Sequence, residues 1–172
     1  MSLIASFYKL DITQKQELMN SATPVEQEIE VKKLGIFKSK KLIKKDVFWE
    51  FMQEKSQEQV EFDNSGIAFC DLDMILDARG KMIFDFGIEE SNELSKIRET
   101  SMALFDSGSA TSALEFLVNT DLQRPEIESF YKSEGREDES EFGCNAVLSA
   151  LETAKIWLST VNKNEIGLLI VG

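Results

Sequence analysis

The sequence closes on Ile166-Gly167-Leu168-Leu169-Ile170-Val171, a run that is apolar at odd and even positions alike. A strand with two apolar faces belongs in the interior of a sheet. Just before it, Val147, Leu151, Ala154, Leu158 and Val161 recur at spacings of 4, 3, 4 and 3, and Trp157 and Leu148 widen the stripe. That is the periodicity of a helix with one face on a core. Asn162-Lys163-Asn164 supplies the turn between the two elements. A helix that leads into a core strand is thus the surest unit of the chain.

The opening Leu3-Ile4-Ala5-Ser6-Phe7-Tyr8-Lys9-Leu10 also reads as a strand, with Asp11 or Thr13 as the cap of a helix over 14–20. Thr23-Pro24-Val25-Glu26 combines a cap, a proline at the first helical position and a glutamate at the third. This predicts a helix over 24–34, ended by Gly35. Residues 36–45 fit either an edge strand defended by lysines or an exposed loop. Asp46 can cap a helix over 47–52, whose Phe48, Trp49 and Phe51 imply burial against a sheet.

Strands are expected over 67–70 and 81–86, with Ala78-Arg79-Gly80 between them and 72–76 undecided between strand and helical turn. A helix from Ser91 or Asn92 would align Leu94, Ile97, Ser101, Leu104 and Phe105, and stop at Asp106-Ser107-Gly108. Helices over 110–118 and 125–132 follow, then an acidic, glycine-bounded loop over 133–143. No repeat and no Gly/Ser linker divides the chain, so residues 1–172 are expected to form a single α+β domain. Its mixed sheet includes both terminal strands and is packed by several amphipathic helices.

The start MSLIASFYKLDITQKQEL, the finish LETAKIWLSTVNKNEIGLLIVG and Trp49 within KKDVFWEFM resemble the YfbM-like family of uncharacterised bacterial proteins. The resemblance spans about half of the chain. It departs from the family pattern at Val47, two residues before the tryptophan, and at Arg124-Pro125, and lacks a histidine after the tryptophan. It implies an α+β domain of bacterial origin and no established activity.

Composition narrows the chemistry. There is no histidine among the 172 residues, so hydrolases with an imidazole base, HExxH metalloproteases and zinc sites with histidine ligands are excluded. Any catalysis would rest on carboxylates, lysine, tyrosine or a carboxylate-held metal. Cys70 and Cys144, the only cysteines, form no CxxC pair and read as reduced core thiols. The first residues carry no basic stretch of a secretory signal, and no run of about 18 apolar residues suggests a membrane span. A cytoplasmic protein is expected.

Charge is uneven. The net charge is -12, and residues 61–172 hold 9 basic against 22 acidic side chains while residues 1–60 hold 10 against 9. Lys32, Lys33, Lys38, Lys40, Lys41, Lys44 and Lys45 form a run without an acid, which fits either a phosphate contact or a solvated edge. The overall negative charge argues against nucleic acid. Glu134, Glu137, Asp138, Glu139 and Glu141 surround a lone Arg136 in the acidic loop. The spacing fails as an EF-hand, because Phe142 and Ser149 would occupy ligand positions. A docking surface for a basic partner is the functional reading, and a solubilising loop the alternative.

Asp71, Asp73, Asp77 and Asp85 sit in or beside the expected strands, where Asp71 and Asp73 would share a face if extended. Asp71, Asp73 and Asp85 could then hold a divalent cation for phosphoester hydrolysis; surface or strand-end carboxylates are the plainer assignment. Glu30-Val31-Lys32 matches a nuclease fragment only by chance, and Ser65 has no base. Phe48, Trp49, Phe51 and Trp157 could line a ligand pocket, but helical spacing makes them core residues first.

The expected function is a non-catalytic interaction module, regulatory or immunity-like, with an acidic contact surface for a basic protein. No cofactor is implied, and neither nucleic acid nor membrane is an expected partner. A carboxylate-dependent metal phosphohydrolase and a small-ligand binder are the alternatives.

Overall fold

The computed structural model describes residues 3–32 and 38–172. In chain order the strands are β1 (Ala5–Asp11), β2 (Val25–Lys32), β3 (Lys38–Lys45), β4 (Glu58–Glu61), β5 (Ser101–Phe105) and β6 (Glu165–Val171). The helices are α1 (Lys15–Ala22), α2 (Phe48–Lys55), α3 (Ile67–Asp77), α4 (Glu90–Arg98), α5 (Ser107–Val118), α6 (Arg124–Ser133) and α7 (Ser140–Ser159).

The fold is α+β, and the two terminal strands pair along their full length, from Ala5 opposite Val171 to Asp11 opposite Glu165. They form the middle of a four-stranded sheet in the order β4-β1-β6-β5, antiparallel at every pairing. The double apolarity of β6 has its cause here. Leu169 and Val171 join Ala5, Phe7, Ala103 and Phe105 in a core covered by α3, α5, α6 and α7. Ile166, Leu168 and Ile170 join Tyr8, Leu10, Met102 and Leu104 in a second core under α1, α2 and α4. Helices thus cover both faces.

Phe7 and Phe69 stack on Trp157 of α7 from either side, at centroid distances of 5.6 and 5.4 Å. Gly167 makes room for this stack: a Cβ there would lie 2.4 Å from Cζ of Phe7. Both sheet edges are managed. The β4 edge is short and carries glutamates. On β5, the Ser95 hydroxyl accepts from the Met102 N–H (3.0 Å) and donates to its carbonyl (2.7 Å), while the Ser91 hydroxyl accepts from the Leu104 N–H at 2.9 Å. Two serines one turn apart on α4 stand in for a neighbouring strand.

Several expectations are corrected. The helix over 24–34 is instead β2, paired with β3 from Val25 opposite Lys45 to Lys32 opposite Lys38. Glu26, Glu28 and Glu30 alternate with Gln27, Ile29 and Val31, a period of two that outweighs the local capping pattern. The stop at Gly35 falls outside the described residues. Residues 38–45 resolve as strand rather than loop, and they carry Lys38, Lys40, Lys41, Lys44 and Lys45.

The strand over 67–70 is the start of α3, which buries Ala68, Phe69, Leu72, Ile75 and Leu76 at helical spacing. No strand forms over 81–86. Gly80 turns the chain at φ +93, and the N–H groups of Met82 and Ile83 go to the carboxylates of Asp85 (2.9 Å) and Asp73 (2.6 Å) instead of a partner strand.

The long helix expected to align Leu94 with Phe105 ends early. Glu99 adopts a left-handed conformation (φ 51), and 101–105 become β5 because both of its faces are buried beside β6. Asp106-Ser107-Gly108 opens a helix rather than closing one: the Asp106 carboxylate accepts from the Ser109 N–H at 2.7 Å. Trp49, expected in the core, is 43% exposed, whereas Phe48, Phe51 and Met52 of the same helix are buried. Among the described residues no helix is long and apolar enough to cross a membrane.

Candidate functional site

Where α3 meets α6 and the start of α7, a cleft of about 680 Å³ opens. Its depth contains Asp71 and Tyr131, exposed by only 3% and 2%. A carboxylate so far from water needs partners, and two side chains supply three hydrogen bonds. The Tyr131 hydroxyl donates to one oxygen at 2.7 Å. The Arg136 guanidinium donates to both oxygens, at 2.8 and 3.2 Å. This fork geometry gives direction as well as strength.

The same guanidinium turns its other N–H groups to Glu139, with Nε at 3.1 Å and Nη2 at 2.8 Å from Oε2. Its face lies 4.9 Å from the Tyr131 ring centroid. Hydrogen bonds to Glu139 and Asp71 hold Arg136 above its ordinary pKa, and the same ion pair holds Glu139 below the usual carboxylate range. Burial, reinforced by the Asp71 carboxylate, pushes the Tyr131 phenol up. Tyr131 therefore stays a neutral donor.

The result is an ordered acidic segment. α6 ends at Ser133, Gly135 turns the chain at φ +69, a short 3-10 turn spans Glu137–Glu139, and α7 begins at Ser140. The expected loop over 133–143 is thus shorter, and Glu141 and Phe142 lie in the first turn of α7. Close packing of α6 on α7 needs Gly143, since a Cβ there would sit 2.3 Å from the Tyr131 hydroxyl.

Of the five acidic residues read from the sequence, Asp138 and Glu139 line the cleft. Glu139 is the Arg136 anchor. Glu134, Glu137, Asp138 and Glu141 are exposed, and among the described residues none of these four has an ion-pair partner. Beside them Phe142 is 82% exposed, an aromatic side chain standing on the cleft rim.

Asp71, Asp73 and Asp85 are not brought together as ligands. Helical geometry separates Asp71 and Asp73, and both are buried rather than surface carboxylates. Asp71 serves the Tyr131–Arg136 network, while Asp73 accepts from the backbone at Ile83 and Asp85 accepts from it at Met82. Burial raises Asp73 to about 7, with Asp85 and Asp77 adding to the shift and the backbone donors opposing it. Among the described residues no group of three or more Cys, Asp or Glu is placed to hold a metal ion.

The four aromatics do not form one pocket either: Phe48 and Phe51 pack in the core under α2, and Trp157 in the core across the sheet. Sequence reasoning missed Tyr131 and treated Phe142 only as a failed calcium ligand. The available signal was Arg136, the single cation inside an acidic loop. In comparisons with known proteins, no family model, curated protein or solved structure matches the chain at a significant level.

Proposed function

We propose that this chain is a non-catalytic interaction module whose acidic segment, with the cleft beside it, receives a basic protein partner. The observation that carries the reading is the ordering of that segment. Arg136 ties it to the buried Asp71 and to Glu139, so Glu134, Glu137, Asp138 and Glu141 present their charges from a fixed frame next to an exposed Phe142. A solubilising loop needs no such anchor. Preorganised charge of one sign speeds encounter with a partner of the other and selects against wrong ones, and an aromatic at the rim supplies the apolar contact that charge alone lacks.

The role is that of a regulatory or immunity-like module that neutralises its partner, in a cytoplasm whose reducing conditions suit the unpaired Cys70 and Cys144. Neither nucleic acid nor membrane suits this face. The YfbM-like resemblance of the terminal segments stands beside this as a proposal about ancestry and implies no activity.

Affinity capture from cell extract tests the reading, with wild type against a Glu137→Lys, Asp138→Lys, Glu141→Lys variant that leaves Glu139 on Arg136. Basic proteins recovered by wild type at low salt are expected to be lost with the variant. Equal recovery by both removes the acidic segment as the contact.

A further inference from the structure

The cleft itself discriminates by charge and shape. Its only cation among the described lining residues is Arg136, and that guanidinium is committed: four of its donor contacts already go to Asp71 and Glu139. An anionic ligand would have to displace two carboxylates from it, one of them buried at 3% exposure. Uncommitted charge in the cleft is negative. Asp138 has no ion-pair partner among the described residues, and Oε1 of Glu139 is left over by Arg136, whose bonds reach Oε2. The rest of the lining sets the apolar Ile67 and Ala68 at the start of α3 and Phe142 and Ala146 on α7 beside the neutral polar Asn64, Ser65, Asn145 and Ser149.

A trough with apolar walls that ends in the unpaired Asp138 carboxylate and the free Oε1 of Glu139 fits a positive head on a hydrocarbon stem. We infer that the cleft takes one lysine or arginine side chain of the partner, its methylenes on Ile67 and Phe142 and its cationic head at Asp138 and Glu139. The inference rests on the proposed basic partner and adds the atomic form of the contact. Phe142, exposed and in the cleft lining, is an aromatic ring within the same site, where a cation can gain from a ring face. A side chain held in a folded partner arrives with less freedom to lose than a free polyamine, which favours the protein source.

The test is an amide chemical-shift titration of the full chain with acetyl-Gly-Lys-Gly-amide, its arginine counterpart, the neutral norleucine counterpart and spermidine. Saturable shifts at Asn64, Ala68, Phe142 and Gly143 are expected with the lysine and arginine peptides. The norleucine peptide, and the lysine peptide against Asp138→Asn, should bind more weakly by up to about fivefold, as loss of an exposed ion pair implies. Phe142→Ala should weaken both cationic peptides. Both substituted positions are exposed, and an unchanged spectrum away from the cleft shows that each variant is folded.

Equal binding of the norleucine peptide overturns the charge assignment, and tighter saturation by spermidine overturns the protein source. Shifts confined to Glu134, Glu137 and Glu141 overturn the cleft while leaving the acidic contact surface standing. No shift with any cationic probe ends both.

Discussion

Replacing Arg136 by methionine keeps most of the side-chain volume and removes the charge on which the acidic segment depends. Asp71 is then left at 4% side-chain exposure with Tyr131 as its remaining partner, because the bonds at 2.8 and 3.2 Å disappear. Breaking one side of a buried pair costs about 3–5 kcal/mol, since the surviving charge keeps its desolvation penalty. Arg136 is 29% exposed, so part of that charge was already screened and a loss of about 3 kcal/mol is expected. Against a typical stability of about 5–15 kcal/mol this is a large fraction. Urea unfolding at pH 7 should show the lower midpoint at unchanged slope. Adding Asp71→Asn should recover about 1–3 kcal/mol, because a neutral amide no longer needs the guanidinium. A loss under about 0.5 kcal/mol for Arg136→Met, or no recovery in the double variant, would refute the anchoring of the segment.

Three further outcomes follow from the same geometry. Asp73 titrates at about 7 in the folded chain against a usual 3.8, so the stability it contributes is full below pH 4 and is lost as pH rises through 7. Asp73→Asn should therefore gain on wild type between pH 4 and 8, by up to ~4 kcal/mol at ~1.4 kcal/mol per pH unit; a pH-independent difference in urea unfolding contradicts this. Ser95→Ala strands both backbone groups of Met102, for a cost of about 1–3 kcal/mol. Faster hydrogen exchange at the Met102 amide checks it. Gly167→Ala forces a Cβ to within 2.4 Å of Phe7, and overpacking of about 1–3 kcal/mol should appear in thermal unfolding.

What could be read from the residues tracks where local pattern and tertiary demand agree. β6 and α7 were legible because the apolar periods of 147–171 have one solution, and β1 followed as the partner at the other end. β2 and β5 were not, for opposite reasons. At Thr23-Pro24-Val25-Glu26 a helix-start pattern spans four residues, while the glutamate alternation that decides the strand runs over six, from Glu26 to Val31. At Ser101–Phe105 the short apolar run suits either structure, and the open flank of β6 selects the strand.

For the site, the acidic side chains were visible, but their anchoring was not. Asp71 lies 65 positions from Arg136, and no local pattern links a helix carboxylate to a guanidinium in a distant turn. With 72–76 undecided after an expected strand over 67–70, an extended continuation would have put Asp71 and Asp73 on one face, which made a metal site conceivable; the helix sends them to different partners.

Hydrogen exchange of the full chain, alone and with a basic partner recovered by capture, tests the interaction surface most directly. Slowed exchange over 134–146 and 64–68, with the rest unchanged, is the predicted result. Protection confined to the β2–β3 hairpin or to the face formed by α1, α2 and α4, with 134–146 unaffected, would contradict it.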